Sequence, residues 1–194
     1  MNELSIKCST SSYLVKNFLD KETLIEYLKE SSDFIIYDSY FLDFFKTFKK
    51  SLSIESLEDN KSLTTVANIC KNLKENGLTK NSNIVAIGGG IVQDLCTFSA
   101  SVFLRGLNWR YVPTTLLGMV DSCIGGKSSI NAAGVKNLVG NFYPPSEIFI
   151  CKDFVSSLSR VEISSGLLEA LKISYAMSIN NYESMSFLIK SYIK

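Results

Sequence analysis

One stretch, residues 84–103, constrains the fold more than any other. Four apolar residues, 84–87, run directly into Gly88, Gly89 and Gly90, and the glycines open into a helical pattern over residues 91–103. A short apolar run bounded by turn residues reads as a strand buried on both faces, as in a parallel sheet. Three further runs of this kind lie at residues 34–37, 109–112 and 148–150. Between them Leu63, Val66, Ile69, Cys70 and Leu73 recur at helical spacing, with Gly77 as the stop. Strand and helix in alternation predict an α/β fold with a Rossmann-like, mostly parallel sheet.

The pattern changes after Lys152. Residues 159–178 read as one long helix with Leu167, Leu168, Leu171, Ile173 and Met177 apolar. The expected division is therefore an α/β domain over residues 1–152 and the truncated start of an all-α domain over residues 153–194. One or two amphipathic helices cannot bury both faces alone, so residues 167–177 are expected to expose an apolar stripe.

Composition excludes several classes of function. The 194 residues are 46% hydrophobic and 20% charged, which is ordinary for a globular chain. A net charge of +1 with no basic or acidic block gives no reason to expect nucleic acid or an anionic membrane as partner. The five cysteines, Cys8, Cys70, Cys96, Cys123 and Cys151, form no CxxC pair and are odd in number, which argues against a disulfide framework or a zinc knuckle. The opening residues lack a signal-peptide core and no apolar run reaches membrane-spanning length, so a reducing cytoplasm is the expected compartment. The chain has no histidine, and so cannot by itself hold a histidine base, triad or metal cage.

Three motifs carry possible chemistry. In the first, the glycines of 88–90 let a phosphate approach the backbone, the following helix start offers free N–H groups, and Asp94 sits one turn inside it. The same residues also suit a plain tight turn, and they are not a GxGxxG fingerprint. The second runs through Arg105-Gly106, Val112-Pro113-Thr114-Thr115, Asp121-Ser122, Gly125-Gly126-Lys127, Asn131 and Lys136-Asn137. Guanidinium, ammonium, hydroxyl and carboxamide groups gathered in this way suit a phosphorylated, polyhydroxylated ligand. In the third, Glu169 and Lys172 share a helix face with Glu162, which by spacing alone is a surface salt-bridge stripe.

The order and spacing of GGGIVQD, FLRG, VPTTLL, VDSCIGGKSSIN, GVKNLVGNFYPP and SSGLLEALKISYAM resemble the 3-dehydroquinate synthase family. The resemblance covers nearly the whole chain and implies conversion of 3-deoxy-D-arabino-heptulosonate 7-phosphate into 3-dehydroquinate and phosphate, the second step of the shikimate pathway. It implies catalytic NAD and a divalent metal, zinc or cobalt. NAD oxidises a ring hydroxyl, phosphate is eliminated, NADH returns the hydride, and an internal aldol reaction closes the carbocycle. By matched motif, Asp38, Glu58, Lys61, Gly89, Gly90, Asp94, Thr114, Thr115, Leu117, Asp121, Ser122, Lys136, Phe154 and Glu162 would line NAD. Arg105, Asp121, Lys127, Asn137 and Lys172 would hold the substrate, and Glu169 would be a metal ligand. The complete enzyme is expected to be a homodimer.

Two departures stand out: Ala132 where the family usually has His, and Ser159 where it has Pro. The family's metal-binding histidines lie in a helical region beyond Lys194, so the resemblance implies a fragment that is inactive alone. Alternatives are a related sugar-phosphate cyclase, an NAD- and metal-dependent polyol or glycerol-phosphate dehydrogenase, and a non-catalytic NAD-binding remnant.

Overall fold

The computed structural model describes residues 3–8 and 12–193. In chain order the elements are β1 (Glu3–Lys7), β2 (Ser12–Phe18), α1 (Lys21–Glu30), β3 (Phe34–Asp38), α2 (Leu42–Phe45), β4 (Ser51–Ile54) and α3 (Leu63–Glu75). They continue with β5 (Asn83–Gly88), α4 (Gly90–Val102), β6 (Asn108–Pro113), β7 (Ile130–Ala132), β8 (Val135–Val139), β9 (Glu147–Cys151), α5 (Arg160–Met177) and α6 (Ile179–Ile193).

The four apolar runs are strands β3, β5, β6 and β9. They sit inside a seven-stranded sheet of order β1-β2-β9-β6-β5-β3-β4. Every pairing is parallel except β1 with β2. Alternate side chains feed two cores. Phe34, Ile36, Ile84, Ala86, Trp109 and Tyr111 pack on one face against Val66, Ile69 and Leu73 of α3 and Val92, Leu95 and Cys96 of α4. Ile35, Tyr37, Val85, Ile87, Val112 and Phe149 pack on the other against Leu24 and Leu28 of α1, with Phe41 and Phe45. This is the α/β architecture the sequence predicts, covered on both faces.

Helix boundaries follow local chemistry. Ser62 caps α3 by accepting from Thr65 N, and Gly77 (φ +73°) ends it two residues beyond Glu75. The predicted helix over 159–178 is α5, and Ser159 is its N-cap in a capping box with Glu162. Gly166 brings α5 onto the sheet domain: a Cβ there would stand 2.6 Å from Leu116 Cβ. α5 and α6 pack together through Tyr175 and Tyr182, whose rings lie 5.6 Å apart. Leu168, Tyr175 and Met177 are exposed, as expected, whereas Leu167, Leu171 and Ile173 are partly covered. Among the described residues no helix is long and apolar enough to cross a membrane.

Candidate active site

In a parallel sheet all strands end at one edge, and ligands settle there where the connections diverge. β3, β5 and β6 lie side by side, with Tyr37 beside Ile87 and Ile87 beside Val112. Their C-terminal ends therefore bring Asp38, the three glycines and Thr114-Thr115 together. The glycines are not equivalent. A Cβ on Gly88 would overlap Val92, and one on Gly89 would stand 3.1 Å from Thr115 Cγ2, but one on Gly90 would meet nothing within 4 Å. Gly89 is the N-cap of α4 and provides no side-chain cap. The start of α4 thus has no side-chain cap and has room beside Gly90, as an anion-binding helix start does.

Two cavities flank this turn. One, about 450 Å³, is lined by Asp38, Tyr40, Leu57, Thr114, Thr115 and Glu162, among others. Asp38 is held there by accepting from Tyr40 N at 3.0 Å. The other, about 130 Å³, is lined by Gly90, Gln93, Asp94, Asp121, Ser122, Ile124 and Lys127. A cavity of about 540 Å³ lies around Ser31, Asp33 and Lys50. It sits at the opposite edge of the sheet and includes none of the predicted residues, so size alone is a poor guide to the site.

Beside the smaller cavity Lys61, only 7% exposed, organises a polar network. Its ammonium donates to Asn137 Oδ1 at 2.7 Å and Asp94 Oδ2 at 3.2 Å, with Glu58 Oε1 at 3.8 Å. Burial raises the Asp94 pKa, and Lys61 opposes the rise. Glu58 is held below the usual carboxylate range, chiefly by the hydrogen bond from Asn131 and then by Lys61 and Lys136. Asn131 Nδ2 donates to Glu58 Oε1 at 2.9 Å, while its Oδ1 accepts from Asn137 N at 2.9 Å. The β7–β8 hairpin is in this way stitched to residues 58–62, and Asn137 adopts φ +57° within it.

The segment bearing Lys127 has its own support. Gly125 and Gly126 take φ +94° and +64°. A Cβ on Gly126 would also overlap Pro144, so this turn requires glycine twice over. Gly125 N donates to Tyr13 Oη at 3.0 Å. On α5, Glu169 and Lys172 form an ion pair. Lys172 has its pKa raised, first by Glu169 and more weakly by Asp121.

Several predicted residues line neither cavity. The Phe154 side chain is 2% exposed in the core, its ring 5.3 Å from that of Phe41. Its ring is therefore committed to packing in the core. Arg105 is exposed at φ +68° beyond the C-terminal end of α4. Since α4 has 13 residues, that end lies about 20 Å from the glycine turn. Leu117 and Lys136 are exposed beside the site. Ser159, in place of the expected proline, gives its N–H and hydroxyl to Glu162 Oε2 at 2.8 and 2.7 Å, so Glu162 serves the helix start as well as bordering the larger cavity. Gln93 and Tyr13, absent from the sequence reading, both hold site segments in place.

The donor set of the described residues does not make a metal site. Among the described residues no three His, Cys, Asp or Glu side chains stand together as they would around an ion. Glu169 is engaged by Lys172.

Comparison with known proteins places these features. The family model described as 3-dehydroquinate synthase N-terminal matches residues 51–165. The 3-dehydroquinate synthase of Clostridium tetani is 41% identical over 143 residues, covering 74% of this chain and 38% of that protein. The chain thus spans well under half the length of that relative. The solved structure of 2-deoxy-scyllo-inosose synthase complexed with carbaglucose-6-phosphate, NAD+ and Co2+ superposes with a TM-score of 0.76 at 24% identity, over 88% of this chain and 50% of that one. That of 2-epi-5-epi-valiolone synthase from Streptomyces hygroscopicus subsp. jinggangensis, with NAD+ and Zn2+ bound, gives 0.74 at 23%, over 87% and 51%. The last two likenesses bear on the fold; the matched family model and the 41% identity bear on descent, and by them the chain belongs to the 3-dehydroquinate synthase family.

Proposed function

We propose that this chain is the NAD-binding portion of a 3-dehydroquinate synthase acting on 3-deoxy-D-arabino-heptulosonate 7-phosphate. The observation that carries the reading is the convergence of Asp94, Asp121 and Lys127 on one small cavity beside the open start of α4. NAD fits what is present. Asp38 would meet the adenosine ribose, the N–H groups above Gly90 the pyrophosphate, and Asp94, Asp121 and Ser122 the nicotinamide half. When bound, NAD supplies a hydride acceptor. The chain's own residues bind and orient: Lys127, Lys172 and Asn137 offer cationic and amide groups to an anionic, hydroxylated substrate, and Asp121 sets a carboxylate between substrate and cofactor. Within this reading residues 153–194 open a second, helical domain, the working enzyme is a cytoplasmic homodimer, and Arg105 contributes from outside the two cavities.

A resident zinc or cobalt would find one candidate ligand here, Glu169, where a catalytic zinc ordinarily needs three. No step is assigned to a metal, and the 194-residue chain is expected to release no phosphate on its own. Calorimetric titration with NAD, together with a phosphate-release assay on the heptulosonate phosphate with NAD and zinc, tests the reading. NAD binding without turnover is expected. Absence of NAD binding would overturn the proposal, and turnover at about 1 per second or faster would overturn the expected inactivity. A second reading, a related sugar phosphate as substrate, rests on the departures from the family pattern at Ala132 and Ser159. Identification of the cyclised product made by a protein that carries the chain with a complete metal site decides between the two.

A further inference from the structure

We infer that Gln93 is a positioning residue that fixes Asp121 against the nicotinamide end of the dinucleotide; the inference rests on the NAD reading above. Gln93 lies in α4, one residue before Asp94, and is 3% exposed. Its Nε2 donates to the Ser122 carbonyl at 2.5 Å, and its Oε1 accepts from Ser122 Oγ at 2.7 Å. The reverse amide orientation would set carbonyl against carbonyl, so the amide is held in this orientation.

Ser122 ends a π-helical turn, Gly118–Ser122, whose closing bond runs from Cys123 N to Gly118 O at 3.1 Å. Such turns are rare and are found largely at functional sites. The start of this one is well held: Gly118 N donates to Thr115 Oγ1 at 3.1 Å, and Gly166 of α5 presses on Leu116. Its end carries Asp121, and the Asp121 carboxylate receives no hydrogen bond among the described residues. The point from which that carboxylate projects is therefore set by backbone, and the side chain that hydrogen-bonds this backbone to α4 is Gln93. Because Asp94 follows Gln93 directly, the clamp fixes the two acids of the small cavity relative to one another. Ser122 Oγ, having donated its proton to Gln93, is left to the ligand as an acceptor.

A merely structural glutamine would weaken every ligand alike or none. Positioning of Asp121 affects only the half of the dinucleotide that reaches the small cavity. The experiment compares NAD with ADP-ribose, which lacks nicotinamide, by calorimetry on the wild-type chain, Gln93→Met and Ser122→Ala. Gln93→Met is expected to bind NAD roughly tenfold more weakly, the scale of one lost buried hydrogen bond, with ADP-ribose altered by less than about twofold. Ser122→Ala keeps the bond from Nε2 and should show an effect in the same direction; because it also removes an Oγ offered to the ligand, Gln93→Leu carries the comparison if Gln93→Met does not fold. Equal factors for both ligands, or no change in either, overturn the inference while leaving the NAD reading intact. A wild-type chain that binds NAD no better than ADP-ribose also overturns it, and one that binds neither overturns both.

Discussion

A single ammonium, that of Lys61, holds together parts of the site contributed by three separate segments. It is nearly buried and faces Asp94, Asn137 and Glu58. Lys61→Met removes the cation and leaves Asp94 in the same desolvated place, so a loss of about 2–3 kcal/mol is expected by urea unfolding. The sign of the pH effect follows from burial. Asp94 already has a raised pKa, and losing Lys61 raises it further. The folded variant then binds its proton more tightly than the unfolded chain does, so its stability falls as pH rises. The deficit against wild type should be largest at neutral pH and shrink toward about pH 4; a deficit independent of pH would contradict this account. At this scale the sequence points to residues whose type or matched motif suggests chemistry, as with Lys127 by type and Asp38 and Lys61 by motif. It is silent where a neutral residue matters only through a distant partner. Gln93 meets a serine 29 positions away, and Tyr13 meets a glycine 112 positions away.

At the scale of elements, the turn from β5 into α4 separates packing from binding within three residues. Gly88→Ala would force a Cβ into Val92 and should cost about 1–3 kcal/mol. Gly90→Ala meets open space, so its melting should stay within about 0.5 kcal/mol of wild type, yet NAD binding should fall because the methyl group enters the space proposed for the pyrophosphate. Equal NAD affinity in Gly90→Ala would remove the pyrophosphate from that place. The start of α5 gives a second test. Ser159→Ala breaks the capping box and should cost about 1 kcal/mol. Glu162 is held below the ordinary carboxylate range by Ser159, so the contribution of the box is complete at neutral pH and is lost as pH falls through the depressed value. The four apolar strands were readable as unbroken buried runs, and α3, α4 and α5 by their helical spacing. β1, β4, β7 and β8 were not, since they are short, lie at edges or in a small hairpin, and bury too few residues for alternation to show.

At the scale of the molecule, the last two helices carry a group of exposed apolar side chains. Val161, Leu168, Tyr175 and Met177 on α5, with Phe187 and Leu188 on α6, are each at least 60% exposed. Apolar surface of this kind favours association. The purified chain should sediment with concentration-dependent mass and bind a hydrophobic dye, and aspartate at Leu168 and Phe187 should reduce both. The α/β class was legible from alternation, but the strand order was not, because parallel neighbours are chosen by tertiary packing rather than by closeness in sequence. The position of β2 is the clearest case, and it bears on how the chain acquires its structure over time. Leu14 to Phe18 pair with Glu147 to Cys151, so on a ribosome the first hairpin must wait until nearly all the sheet has been synthesised. Contacts so remote in sequence slow folding. Since Tyr13 on that hairpin receives the Gly125 N–H, the loop that presents Lys127 gains this support only once the first strands have joined the sheet, and folding followed by hydrogen exchange is expected to find that loop and the first hairpin protected together.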